Sequence, residues 1–355
     1  MVVRKRPKPL LIGLIICSVI LIVGGSFLGY LSLGGNYHST DTIEVDIPSG
    51  MSSRNISKLL KKKGVIRSEV LFTVSVQMHH NSLKAGTYRF QGNMSLAKVI
   101  KTLEKGSNYN PNMVVLTFKE GERITDYAKV IANGTNYSYE EVIEYFKNRE
   151  IIKNYISKYW FLSDAILDAN IYYPLEGYLA PDTYHFDNKD VELEEIILTM
   201  LDENKKKLSS YQKSLEGNVH KFLTMASIVE LEGTNTENRK MIVGIFNNRL
   251  SSGMNMGSDV TSYYGLQIPM SSDLNSAQFA DINPYNTRST TMIGKMPVGP
   301  ICNPSISSIE ASIEPTDSDY LFFVADKKGN IYYTKTMVEH DQKVAEIKAK
   351  GDWIW

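Results

Sequence analysis

The sequence predicts an α+β protein with a single N-terminal transmembrane helix, a small α+β module and then a larger region of helices and short strands. Three observations carry this reading. Arg4, Lys5, Arg6 and Lys8 precede an uncharged run, residues 9–40, whose strongly apolar part is residues 10–33. Twice, at residues 42–47 and 113–118, a short strand pattern passes through a glycine-bearing turn into an amphipathic helix pattern. Residues 257–304 have little periodicity and are dense in Gly, Pro, Ser, Asn and Tyr. So long a stretch inside a compact domain is functional or disordered, and the interleaved aromatics argue against disorder.

The apolar run exceeds the roughly 20 residues that a membrane helix needs. Basic residues on its N-terminal side place that end in the cytoplasm. The expected order is a cytoplasmic tail at 1–9, a span at 10–33 and a linker at 34–41, with the rest of this single-pass cell-membrane protein outside the membrane. A signal peptide is disfavoured, because its apolar core runs only about 7–15 residues. Lys and Arg together number 39, as do Asp and Glu, so no global field exists to hold nucleic acid. Cys17 and Cys302 build no disulfide framework. The six histidines show no ligand spacing, and His79-His80 puts its rings on different faces, so neither metal nor cofactor is expected.

Residues 42–107 read as one module. A strand at 42–47 precedes a helix capped by Ser53, with Ile56, Leu59 and Leu60 inward and Gly64 as its stop. Ser68 opens a second helix with Val70, Leu71, Val74 and Met78; residues 86–90 form a strand, and Ser95 caps a third helix that ends at Gly106. Beyond it come a strand at 113–118, a helix at 125–132, an aromatic-rich helical stretch at 139–166, a rigid loop at 173–184 and a long helix at 191–215. A helix opened by Thr236 runs to Gly253, and another occupies 305–313. Strands at 320–325 and 331–334 then precede a last helix, opened by the capping box of Thr336 and Glu339.

Residues 222–233 form a helix that is apolar nearly all round, and such a helix is usually buried. Glu230 follows directly on Ile228 and Val229. A carboxylate placed there must reach a cleft, find a partner or take up a proton. A carboxyl protonated near neutral pH is what a general acid needs. The plainer reading, and from the helix alone the commoner one, is that Glu230 closes the helix and points to water. Glu232 lies two residues on, does not share a helix face with Glu230, and reads as a capping or solvated group.

Four landmarks occur in one order: Glu176-Gly177-Tyr178-Leu179-Ala180-Pro181-Asp182-Thr183-Tyr184, Ala226-Ser227-Ile228-Val229-Glu230, Phe246-Asn247-Asn248-Arg249-Leu250 and Pro284-Tyr285-Asn286-Thr287. In this the sequence resembles the membrane-anchored endolytic murein transglycosylases of the MltG (YceG-like) family. The resemblance implies a LysM-like module at 42–107 and a mixed α/β catalytic domain at 108–355. It implies non-hydrolytic cleavage of the MurNAc–GlcNAc bond in nascent peptidoglycan strands, leaving 1,6-anhydroMurNAc ends. Glu230 is the catalytic acid/base it points to. Glu176, Tyr184, Ser227, Asn248, Asp259, Tyr285, Asn286 and Thr287 are the substrate-binding residues. The implied partners are glycan strands, the membrane through residues 10–33, and cell-wall synthesis proteins.

The chain departs from the family pattern at Gly257, where an amide side chain is usual, at Val260, where proline is usual, and at Arg288, where an aromatic is common. These departures keep open a catalytically weak, membrane-tethered peptidoglycan-binding or scaffolding protein. A third alternative, a two-carboxylate hydrolase, needs a second acid such as Glu176, Asp182 or Asp259 facing Glu230. Such pairs stand about 5–5.5 Å apart in retaining enzymes and roughly 6.5–9.5 Å apart in inverting ones.

Overall fold

The computed structural model describes residues 9–35, 39–79 and 82–353. Arg4, Lys5, Arg6, Lys8 and His80 lie outside these residues. The chain divides into two compact units between Met113 and Val114.

The first unit begins with α1 (Pro9–Ser32), whose sequence carries no charged residue. Among the described residues, no helix is long and apolar enough to cross a membrane. There follow β1 (Thr42–Ile47), α2 (Ser53–Lys62), α3 (Glu69–Met78), β2 (Gly86–Gln91) and α4 (Leu96–Lys105). β1 and β2 pair antiparallel, with Thr42 opposite Gln91 and Ile47 opposite Gly86. Alternation turns Val45, Ile47, Tyr88 and Phe90 inward, against Leu60, Phe72, Val76, Val99 and Leu103 of the helices. The cap of α2 is Ser52 rather than Ser53: its backbone is still extended, and its side chain accepts from Asn55 N. The unit also extends past residue 107. Ser107 Oγ donates to Thr87 O at 2.5 Å, Asn108 Oδ1 accepts from Arg89 N at 2.8 Å, and the Arg89 guanidinium lies 3.7 Å from the Tyr109 ring centre.

The second unit starts with β3 (Val114–Thr117), α5 (Ile124–Gly134), α6 (Tyr139–Lys147) and α7 (Arg149–Ile156). It continues through β4 (Thr183–Phe186), α8 (Leu193–Leu208), α9 (Gln212–Leu215), α10 (Val219–Glu232) and α11 (Thr236–Ser251). Then come α12 (Asp259–Gly265), α13 (Ser276–Phe279), α14 (Ile306–Ile313), β5 (Phe322–Ala325), β6 (Ile331–Thr334) and α15 (Met337–Ala349). β3 pairs antiparallel with β4, and β5 with β6. Strands among the described residues therefore occur only as two-stranded pairs, and the unit is α+β with helices dominant.

Several expected elements change. The stretch 139–166 is broken at Asn148, whose side chain caps α7 by accepting from Ile151 N. The long helix at 191–215 stops at Leu208, and a 3-10 turn separates it from α9. The end of the 173–184 loop is strand β4, because alternation turns Tyr184 and Phe186 into the core behind β3. The aperiodic 257–304 segment contains α12 and α13, which are too short to show a helical period.

α10 lies between two hydrophobic clusters. Leu223 and Ala226 join one with Leu175, Tyr178 and Leu179. Met225, Ile228 and Val229 join the other with Ile242, Phe246, Val260, Tyr264, Tyr285 and Ile301. Burying each large aliphatic side chain contributes about 1.5–3 kcal/mol, so the helix is held along its length and its last turn is placed rigidly.

Candidate active site

That last turn carries two carboxyls with different surroundings. On an α-helix, residues i and i+2 point about 200° apart, so Glu230 and Glu232 look to opposite sides. α10 stops at Gly233, whose N–H still bonds Val229 O at 3.0 Å. A Cβ at Gly233 would stand 2.6 Å from Arg239 Cγ, so only glycine lets α11 bring its first turn this close.

Glu230 is enclosed by donors. Arg239 Nη2 reaches Oε1 at 2.9 Å, with the two side chains 7 % and 14 % exposed for Glu230 and Arg239 respectively. Oε2 accepts from Ser305 N at 2.9 Å, Ser305 Oγ at 2.5 Å and Ser308 Oγ at 2.7 Å. Arg239 is fixed in turn by Gly233 O at 3.2 Å and Ser307 Oγ at 2.6 Å. The carboxylate of Glu230 ties α10 to α11 and to the start of α14. Its oxygens are occupied.

Glu232 is in the reverse position. Ser258 Oγ donates to Oε1 at 2.5 Å, and among the described residues the carboxyl accepts nothing else. The side chain keeps some open surface, yet the surrounding protein pushes its carboxyl up to about 7, chiefly by desolvation. The Ser258 hydrogen bond opposes that rise, nearby Asp259 adds to it, and Arg288 and Arg249 work against it. Asp259 and Arg288 form an ion pair of half-exposed side chains. Arg249 is pinned by its donations to Leu321 O at 2.6 Å and to Met256 O.

Most residues expected from sequence to bind substrate are engaged with other parts of the protein. Glu176 is buried, and its oxygens accept from Ile124 N at 3.0 and 3.2 Å, Tyr264 Oη at 3.1 Å and Asn303 Nδ2 at 3.3 Å. It thereby caps α5, and burial pushes its carboxyl up to about 8. Ser227 is fully buried and accepts from Ile301 N at 3.0 Å. Tyr184 is buried and donates to Ala180 O at 2.8 Å. Tyr285 packs against Tyr172 and Tyr264, with ring centres 4.8 and 4.7 Å away. Asn286 donates to Phe279 O and Asp281 O at 3.0 and 2.6 Å. Thr287 Oγ1 accepts from Ser258 N at 3.0 Å, which places the serine that meets Glu232. Asn248 is half-buried and spends its amide on Ser318 O and Tyr320 O, at 2.7 and 3.0 Å. Of the eight, Asp259 keeps the most open side chain beside Glu232. The others lie in the interior or are already bonded to protein.

Gly177 marks a close approach of two segments. Its φ is +82°, and a Cβ there would stand 2.3 Å from Pro300 Cβ. Only glycine lets the 173–184 loop meet the Gly299-Pro300 turn.

With this geometry in place, residues 45–346 match the description of the YceG-like family. The chain belongs to that family. A protein of Bacillus subtilis (strain 168) named endolytic murein transglycosylase is 36% identical over 341 residues, covering 94% of this chain and 93% of that relative. A Streptococcus pneumoniae (strain D39) protein of the same name is 32% identical over 366 residues; the match covers 96% of this chain and 65% of that longer relative. The crystal structure of a yceG-like protein from Listeria monocytogenes aligns with a TM-score of 0.61 at 34% identity, over 86% of this chain and all of that one. The family resemblance and the α+β class of the fold are borne out.

Ser258, Arg239, Ser305 and Ser308 were not singled out from sequence; Arg288 was named there as a departure from the family pattern, and Glu232 as a capping or solvated group. A usable signal was present in Glu230-Leu231-Glu232, since two carboxyls on opposite sides of one helix end cannot both face the same neighbour.

Proposed function

We propose that the protein is a membrane-anchored lytic transglycosylase that cleaves within peptidoglycan glycan strands, with Glu232, in place of Glu230, as its acid/base. The observation that carries the reading is the contrast between the two carboxyls. Glu230 is filled by four contacts from Arg239, Ser305 and Ser308, whereas the carboxyl of Glu232 is pushed up to about 7 and accepts one hydrogen bond. A catalytic acid works best with its pKa near the operating pH.

Protonated Glu232 donates to the oxygen that links MurNAc to GlcNAc, and the bond to C1 breaks with oxocarbenium character. The resulting carboxylate takes the proton of the MurNAc 6-hydroxyl as O6 closes on C1. No water is consumed, the acid is regenerated, and one strand end is a 1,6-anhydro sugar. Ser258, held by Thr287, orients the carboxyl. Residues 42–107 act as the LysM-like glycan-holding module. The anchor in this reading rests on the sequence, on the uncharged apolar run at residues 10–33 with Arg4, Lys5, Arg6 and Lys8 before it, which puts the N-terminus inside the cell and the catalytic unit outside.

The test is to digest purified glycan strands with the full chain in detergent and to read the new ends by mass spectrometry. Anhydro ends without new reducing ends are expected. One observation favours a second reading: half-exposed Asp259 lies close enough to raise Glu232, and paired carboxyls are the signature of hydrolases. Reducing ends in the same digest would sink the lyase reading in favour of that one.

A pH profile follows from the same contacts. The acid form of Glu232 declines above about 7, so kcat/KM is expected to fall on that side. Asp259→Asn removes the like charge and leaves Arg288 unpaired; both effects lower the pKa of Glu232. The alkaline limb should move to lower pH, and an unmoved limb would mean that another group carries it.

A further inference from the structure

A cavity of about 600 Å³ opens at the opposite end of α10 from Glu232. Trp160 and Ser163, which follow α7, Asn218 and Lys221 at the start of α10, and the Met296-Pro297 pair help to wall it. Trp160 is half-buried, and its indole stands nearly perpendicular to the Phe161 ring, with ring centres 5.7 Å apart. Ser163 and Asn218 stand at N-cap positions but make no side-chain cap bond, and Lys221 is exposed. The wall therefore offers an aromatic ring beside a hydroxyl, an amide and an ammonium.

The cavity is also built rigidly. His220 is held at both ring nitrogens, by Tyr178 Oη at 2.7 Å and Val298 O at 2.7 Å. A carbonyl only accepts, so Nε2 carries the proton and Nδ1 accepts from the tyrosine. This pins the 296–298 segment to the first turn of α10. From there the same segment runs to the catalytic end: Ile301 N bonds Ser227 Oγ at 3.0 Å, and Ser305 N bonds Glu230. Lys221 and Glu232 fall on one side of the helix, about three turns or roughly 16 Å apart.

We propose that this cavity is a distal saccharide subsite, which holds a sugar of the same glycan strand several units from the bond that Glu232 cleaves. The proposal rests on the glycan-cleaving reading of Glu232. An indole face matches the apolar face of a pyranose ring, and the hydroxyl, amide and ammonium suit its hydroxyl and N-acetyl groups. A strand gripped at both points is cut in its interior, and a fragment too short to reach both loses the second grip.

The test uses the full chain in detergent, with Glu232→Gln so that binding is read without turnover. N-acetylglucosamine tetrasaccharide is titrated while tryptophan fluorescence is followed; Trp160→Phe identifies the signal, since Trp353 and Trp355 remain. A saturable change that Trp160→Phe removes is expected. In the active chain, Asn218→Ala with Lys221→Glu should raise KM about tenfold on long strands, with kcat and short-strand KM unchanged. These two side chains are exposed, so the fold is spared. A change seen with a muramyl pentapeptide but not with the tetrasaccharide would overturn the saccharide assignment. Equal KM changes on short and long strands would also overturn it. Cleavage retained by Glu232→Gln overturns the reading of Glu232 and the strand path with it, whereas a null titration overturns the subsite alone.

Discussion

Glu232→Gln is expected to lower strand cleavage by about 10²–10⁴-fold, the usual contribution of a positioned acid/base, while the urea unfolding midpoint stays near that of the wild type. The glutamine carbonyl can still accept from Ser258 Oγ, and the amide fills the same space. It cannot donate a proton or take one. Desolvation already disfavours the charged form of Glu232, so a neutral replacement does not cost the fold an ionic contact. Ends counted by mass spectrometry and a urea titration on the same preparation separate loss of chemistry from loss of folding. Cleavage at the wild-type rate would return the proton transfer to another group.

The fold was readable where local chemistry decides it. The alternation of residues 42–47, the cap at Ser68 and the Thr336–Glu339 capping box all appear in the structure where the residues place them. So does α10, whose apolar character announced its burial between two clusters. The pairing of β3 with β4 was hidden, because Val114 and its partner Phe186 lie far apart in the chain and nothing local announces the register. The difference between the surroundings of Glu230 and Glu232 was hidden for the same reason. It depends on Arg239 from α11 and on Ser305 and Ser308 from α14, which reach one carboxyl, and on Ser258 from the start of α12, which reaches the other. The landmark motifs lie around this helix end, and the polarity at Ser227, Asn286 and Thr287 serves interior hydrogen bonding.

Arg239→Ala is expected to destabilise the second unit by about 3–5 kcal/mol, the range for breaking a buried ion pair on one side. Glu230 would remain 7 % exposed with a carboxylate that has lost its counter-charge, and Gly233 O and Ser307 Oγ would lose a donor. Against a total stability of roughly 5–15 kcal/mol, that is a large fraction, readable as a lower urea midpoint. Replacing both partners by apolar residues of similar volume, Glu230→Leu with Arg239→Met, should recover part of the loss, because no lone charge is then left inside. Cleavage per folded molecule is the more telling readout. With Glu230 as a tie between helices and Glu232 as the acid/base on the other side of the turn, Arg239→Ala should leave it near the wild-type value. A midpoint within about 0.5 kcal/mol of wild type, as for an ordinary surface change, joined to a collapse in cleavage, would assign the chemistry to Glu230 after all.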